Sequence, residues 1–167
     1  MCIRDRLSTG TSGNSEIPYY DHLALVAGDA NYNDEAGIYP KQSGNEELSW
    51  EQTWANNIGL TLGFFNRVNL NVDFYHKKTT NMLMLVPQSY AITGVGNRWD
   101  NIGAMMNRGV EIAMDGDVIR TKYFTWNLSA NVSYNKNKLL ELYNGVEEYV
   151  NSTTGLKYVV GHPVHEY

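Results

Sequence analysis

Trp54-Ala55-Asn56-Asn57-Ile58-Gly59-Leu60-Thr61-Leu62-Gly63-Phe64 sets Ile58, Leu60, Leu62 and Phe64 at every second position, with Asn57, Gly59, Thr61 and Gly63 between them. Successive side chains of a strand point to opposite faces, so this spacing predicts a strand with one apolar and one polar face. The polar face carries amides and hydroxyls and no hydrophobic core. An apolar outside and a wet inside suit the wall of an outer-membrane barrel.

The pattern recurs three times. Val68 to Lys78 places Val68, Leu70, Val72 and Phe74 against Asn69, Asn71, Asp73 and Tyr75, after only Phe65, Asn66 and Arg67. A hairpin centred on Asn66 sets Leu62 opposite Leu70, Leu60 opposite Val72 and Ile58 opposite Phe74, so both apolar sets fall on one side. A long connection from Thr79 to Met105 follows, with the apolar patch Met82 to Val86, Pro87, Gly94 and Gly96; the patch reads as an outward extension of the second strand. Strand three runs from about Asn107 to Ile119, with Val110, Ile112 and Met114 in phase. Strand four runs from Tyr123 to about Lys138, with Phe124, Trp126, Leu128, Ala130 and Val132 in phase. A turn centred on Thr121 pairs Met114 with Leu128, Ile112 with Ala130 and Val110 with Val132, and lays Trp126 over Gly116. Asp115-Gly116 is a turn signal in its own right, but a hairpin there would break the apolar stripe.

The connections alternate short and long: short at Asn66, long from Thr79, short at Arg120 to Lys122, long after Lys138. Short periplasmic turns and longer outer loops are the rule for membrane barrels, which orients the piece. Phe64, Phe65, Tyr123, Phe124 and Trp126 then fall at the periplasmic rim, and Trp50, Trp54, Phe74, Tyr75 and Tyr134 toward the outer rim, as two aromatic girdles. The expected fold class is all-β, an antiparallel up-and-down transmembrane β-barrel. Four strands form only part of one, because an open edge in lipid leaves backbone groups unpaired.

Composition is compatible with this reading. The 167 residues are 43% apolar and 19% charged, and no run of about 18 apolar residues is present, which excludes a membrane-spanning helix. A net charge of -5 leaves no basic tract for nucleic acid. One cysteine, Cys2, excludes an internal disulfide framework and a thiolate metal site. Residues 1–7, opening Met1-Cys2-Ile3-Arg4-Asp5-Arg6, read as non-native read-end sequence, and residues 8–49, rich in Gly, Asn, Ser, Asp and Tyr, as an extracellular loop region. Residues 50–138 hold the barrel strands, at about 50–64, 68–78, 107–119 and 123–138. Residues 139–167, with Gly145, Asn151 to Gly155 and the Gly161 turn, form an outer loop leading toward a next strand.

The segment from Trp50 to Leu142 resembles the C-terminal barrel region of SusC/RagA-type TonB-dependent outer-membrane transporters of Bacteroidetes. The resemblance is carried by Leu48-Ser49-Trp50-Glu51-Gln52-Thr53, Asn57-Ile58-Gly59-Leu60 with Phe64-Phe65-Asn66, Asp73-Phe74-Tyr75-His76-Lys77-Lys78-Thr79, Asn101-Ile102-Gly103-Ala104-Met105-Met106-Asn107-Arg108-Gly109-Val110-Glu111, Phe124-Thr125-Trp126-Asn127 and Asn131-Val132-Ser133-Tyr134-Asn135-Lys136-Asn137-Lys138. Val160-Gly161-His162-Pro163 resembles the family's turn into a following strand. It implies a large single-chain barrel with an N-terminal plug, capped by a SusD-like surface lipoprotein and importing oligosaccharides or peptides with energy from the TonB complex.

Lipid is expected against Ile58, Leu60, Leu62, Leu70, Val72, Phe74, Val110, Ile112, Met114, Leu128 and Val132. Outer-loop Tyr90, Arg98, Trp99 and Asp100 form a stacking and hydrogen-bonding set of the kind that holds sugars or peptides, or that packs loop on loop. Asp73, Glu111, Asp115 and Asp117 project inward, where they solvate the lumen or meet plug arginines; no nucleophile or base accompanies them at a definite spacing, so no enzyme is expected. His162, His165 and Glu166 are poorly spaced for a metal in a loop, Gly94-Val95-Gly96 lacks the setting of a phosphate loop, and no cofactor is expected. His76 continues the lipid-side phase at a strand's outer end, where its ring can sit among headgroups. Two alternatives remain: another outer-membrane barrel, such as a siderophore receptor or porin, and a secreted carbohydrate-binding β-sandwich, which would cover the apolar face with a second sheet.

Overall fold

The computed structural model describes residues 1–150 and 155–164. Its centre is a five-stranded antiparallel sheet in the order β1-β4-β5-β8-β9, built from β1 (Cys2–Asn14), β4 (Glu51–Phe64), β5 (Val68–Thr80), β8 (Ala104–Arg120) and β9 (Thr125–Glu141). Three two-stranded hairpins stand at one end of it: β2 (Leu25–Tyr32) with β3 (Glu35–Gln42), β6 (Leu83–Pro87) with β7 (Asn97–Asn101), and β10 (Glu148–Val150) with β11 (Lys157–Val159). A single helical turn, α1 (Tyr90–Thr93), and a 3-10 turn at Tyr143–Gly145 complete the described residues. The central strands are 13 to 17 residues long. A soluble domain's strands average about five or six residues, whereas a tilted strand needs about 9–11 to cross a bilayer.

The first hairpin has the register its sequence predicts: Leu62 pairs with Leu70, Leu60 with Val72 and Ile58 with Phe74. Its turn closes where Arg67 N–H donates to the Phe64 carbonyl at 3.0 Å, with Phe65 and Asn66 both left-handed (φ 53° and 52°). Two successive left-handed residues match the right-handed twist of the flanking strands.

The second hairpin differs. β8 runs straight through Asp115-Gly116 to Arg120, and the chain turns over Thr121 to Phe124, where Thr121 N–H donates to the Phe124 carbonyl at 2.7 Å and the two residues also bond through the Thr121 hydroxyl. Met114 therefore faces Ala130, Ile112 faces Val132 and Val110 faces Tyr134, two residues away from the expected partners. The physical reason is the later turn combined with a bulge at Val118, where Asp117 pairs with Asn127 but Ile119 already pairs with Trp126. Leu128, not Trp126, stands opposite Gly116, and a Cβ on Gly116 would meet the Arg67 carbonyl and Val68 at 2.9 Å. A two-residue slip preserves facing, because the side-chain period is two. All eleven residues expected to face lipid share one face in the rows Ile58–Phe74–Val110, Leu60–Val72–Ile112–Val132, Leu62–Leu70–Met114 and, through Val68 and Gly116, Leu128.

Nothing among the described residues covers that face. Ile58 is 55% exposed and Val132 68%, and each central strand's main contacts are with its ladder neighbours. This bare face favours the membrane wall over the sandwich, which required a second sheet there. The small core lies instead at the hairpin-bearing end, where Val86, Val95, Ala104, Leu139, Leu142 and Thr79 are buried.

The N-terminal residues also depart from expectation. Cys2–Asn14 is an edge strand on β4, with Leu7 opposite Ile58, Asp5 opposite Leu60 and Ile3 opposite Leu62, and residues 25–42 form a hairpin where loop was expected. Ile3 and Leu7, set among charged and small polar side chains with Asp5 between them in phase, are too few to make an alternating pattern, so only the open ladder of β4 specifies this strand. The Met82 to Val86 patch likewise pairs as β6 with β7 instead of prolonging β5, and β9 continues beyond Lys138 to Glu141.

Candidate functional site

Two surfaces gather polar and aromatic side chains. The first is the polar face of the sheet. On it Asp73 stands directly opposite Glu111, and one row away Tyr75 pairs with Gly109. The Tyr75 ring crosses Gly109 and its hydroxyl donates to Asn135 Oδ1 at 3.0 Å. With Lys77, Asn107 and Asn135 these groups line an open groove of about 680 Å³. Asp115 accepts from Asn69 at 3.1 Å, and Asp117 accepts from Asn127 at 3.3 Å and faces Arg120 at 3.7 Å. Asp73 accepts from Arg6 at 2.7 Å. Asp73, Asp115 and Asp117 are thus held by amides and guanidinium groups across a wet surface, an arrangement with the chemistry to bind and orient polar ligands.

The second surface is the loop cluster. The structure brings Arg98, Trp99 and Asp100 together on β7 and turns their polar atoms inward. Arg98 donates to Asp100 Oδ2 at 2.8 Å, Asn45 Nδ2 donates to Asp100 Oδ1 at 3.3 Å and to the Trp99 carbonyl at 3.0 Å, and Trp99 Nε1 donates to Asp21 Oδ2 at 2.7 Å. Asn101 ties the same hairpin to Ser49 on both sides, at 2.6 Å each. Tyr90 stands apart at the start of α1, its ring against Gly96, and is 72% exposed beside Ile92. Nearby, the negative charge of Asp29 and a hydrogen bond to it hold the Tyr39 phenol above its ordinary range. Asp21 and Asn45 were not singled out from sequence. The sequence signal within reach was Asn33-Asp34, a two-residue left-handed turn (φ 53° and 62°) that closes the β2–β3 hairpin.

Among the described residues no group of three or more His, Cys, Asp and Glu side chains could hold a metal ion. His165 and Glu166 lie outside the described residues.

Residues 7–164 match the family model described as TonB dependent receptor-like, beta-barrel. The chain belongs to that family. A TonB-dependent receptor (P39) of Formosa agariphila is 41% identical over 141 residues, covering 84% of this chain and 14% of that protein. The TonB-dependent receptor SusC of Bacteroides thetaiotaomicron is 37% identical over 155 residues, covering 86% of this chain and 15% of its own length. A solved structure of the RagAB peptide transporter superposes with a TM-score of 0.86 at 37% identity, over 97% of this chain and 18% of that one. This TonB-dependent receptor barrel is thus of SusC/RagA type, and the chain spans about one seventh of the length of these curated relatives. The family is one of outer-membrane barrels, so the open five-stranded sheet is a stretch of barrel wall.

Proposed function

We propose that this chain is part of the wall of an outer-membrane transporter that takes up a large nutrient, an oligosaccharide or a peptide, with energy from the TonB complex and with a SusD-like lipoprotein over its outer mouth. It performs no catalysis. The observation that carries the reading is a continuous apolar face left bare on long antiparallel strands, backed by a face of Asn, Ser, Thr and carboxylates. The likeness to a peptide transporter and to SusC supports the same reading. In it the apolar rows meet lipid, the turns at Phe65-Asn66 and at Thr121–Phe124 face the periplasm, and the three hairpins form outer loops. The polar groove at Asp73, Tyr75 and Glu111 lines the lumen. Of the four outer-loop candidates, Tyr90 offers its ring to the ligand while Arg98, Trp99 and Asp100 hold the platform beneath it.

Uptake of labelled oligosaccharides and peptides by cells expressing the full-length receptor tests this. Accumulation that stops when the proton-motive force is collapsed or TonB is deleted is the expected result. Uptake indifferent to both would identify a passive pore.

A further inference from the structure

The apolar face does not stay apolar to the end of the strands. Beyond the row Ile58–Phe74–Val110–Tyr134, the next row on the same face reads Asn56–His76–Arg108–Lys136, and the one after it Trp54–Lys78–Met106–Lys138. Four cations and an imidazole thus stand on adjacent strands within two rows. Directly opposed side chains in an antiparallel pair have Cβ atoms about 4.5–5.5 Å apart, and like charges placed so are destabilising. No acidic side chain shares these rows, and none of the ion pairs among the described residues involves His76, Lys78, Arg108, Lys136 or Lys138. On β5 and β8, Asp73, Glu111, Asp115 and Asp117 all take the opposite phase, whereas Asp5 of the edge strand β1 shares the apolar phase opposite Leu60, two rows away from Asn56. So on β5, β8 and β9 the cations of the apolar face gather, with no acid beside them, at the level just past the last apolar row, bordered by the exposed rings of Trp54 and Tyr134. Such a belt is stable when an external anion sits between the cations. At that level of a membrane wall the anions are headgroup phosphates, and the alternation of short and long connections puts the belt in the outer leaflet.

We propose that His76, Lys78, Arg108, Lys136 and Lys138 form a binding surface for the phosphates of an anionic outer-leaflet lipid whose acyl chains lie down the Val110 and Val132 rows. Arg108, at the centre with His76 and Lys136 on either side, is the anchor, because its planar fork can take two phosphate oxygens at once. The inference rests on the reading of the apolar face as lipid-facing.

The test titrates the full-length receptor in detergent with fluorescent lipid A, bisphosphorylated or dephosphorylated, and with inorganic phosphate as competitor. The phosphorylated lipid should bind more tightly. Arg108→Gln with Lys136→Gln should weaken it on the order of 25-fold, about fivefold per cation removed. Lys77→Gln, one residue along β5 on the opposite face, should leave it unchanged. Where the double variant does not fold, Arg108→Lys and Arg108→Gln singly give the same comparison, the first holding the lipid and the second weakening it. Equal affinity for both lipid forms, or equal loss in Lys77→Gln, overturns the proposal, as does binding of inorganic phosphate as tight as that of the lipid. A receptor whose apolar face is covered by protein would bind neither lipid form, which separates failure of the underlying reading from failure of the belt.

Discussion

The Tyr75 ring lies directly across Gly109, so that a methyl group added at Gly109 would sit 2.5 Å from the Tyr75 hydroxyl oxygen and 2.6 Å from Cζ. The glycine is a requirement of the polar face: its bare backbone lets the tyrosine lie flat and reach Asn135. Gly109→Ala should therefore destabilise the folded barrel by about 1–3 kcal/mol through overpacking. Tyr75→Phe, which removes only the hydrogen bond, should cost about 1 kcal/mol or less. Urea unfolding of the full-length protein in liposomes measures both. Because the added methyl also meets the Tyr134 carbonyl at 2.5 Å, the alanine should remain costly, though less so, in a Tyr75→Ala background.

Leu60 and Thr61 are neighbours in sequence and opposites in environment, since Leu60 joins the Val72–Ile112–Val132 row and Thr61 pairs with Asn71 on the polar face. Leu60→Arg or Ile112→Arg should weaken the membrane-inserted state by about 2–4 kcal/mol, while Thr61→Arg or Ser129→Arg costs much less. Unfolding titrations of the four variants compare them. Equal responses from the two faces would show that the apolar rows do not meet hydrocarbon.

These two cases mark what was legible in the sequence. A period of two fixes facing within β4, β5 and the regular stretches of β8 and β9, and facing survives any even slip, so the shared face of the eleven apolar positions was readable although the β8–β9 register was not. Register depends on turn geometry, and neither the bulge at Val118 nor the closed turn from Thr121 to Phe124 leaves a sequence mark as plain as Asp115-Gly116, which makes no turn. β1 has only Ile3 and Leu7 in phase, with Asp5 between them opposite Leu60, so nothing in its own pattern announces a strand. The loop residues show a further limit: Trp99 and Asp100 read as a hydrogen-bonding set, but their partners Asp21 and Asn45 lie 78 and 55 residues away.

Phe65 adopts a left-handed backbone (φ 53°) with its ring 88% exposed, a conformation that non-glycine residues other than Asn and Asp rarely take. Asn accepts it readily and adds no freedom to the unfolded chain. Phe65→Asn should stabilise the protein in detergent micelles by about 0.5–1 kcal/mol, seen as a raised urea midpoint. A loss of stability would mean that the ring holds the turn through contacts of its own.

Tyr39 supplies a pH dependence. The charge of Asp29, then the hydrogen bond to it, raise the phenol's folded pKa above its unfolded value of about 10. The folded state then holds the proton longer than the unfolded one, so this contribution to the β2–β3 hairpin is fully present below about pH 10 and is lost as pH rises through the folded pKa. Titration of phenolate absorbance should show one tyrosine ionising late in the full-length protein, and Asp29→Asn should move it back. An unchanged titration in Asp29→Asn would exclude the carboxylate as the cause.

Trp99 and Tyr90 separate the scaffold of the loop cluster from its ligand surface. Trp99 Nε1 donates to the Asp21 carboxylate at 2.7 Å, whereas the Tyr90 ring is 72% exposed. Asp21→Ala deprives the indole of a charged acceptor and should cost about 1.5–3 kcal/mol of local stability, read as faster hydrogen exchange across β6 and β7. Tyr90→Ala should leave that exchange unchanged and instead weaken ligand capture, since a stacking ring contributes only when something lies on it. If Tyr90→Ala speeds exchange in β6 and β7 without altering uptake, the ring is packing and the ligand meets another part of the outer surface.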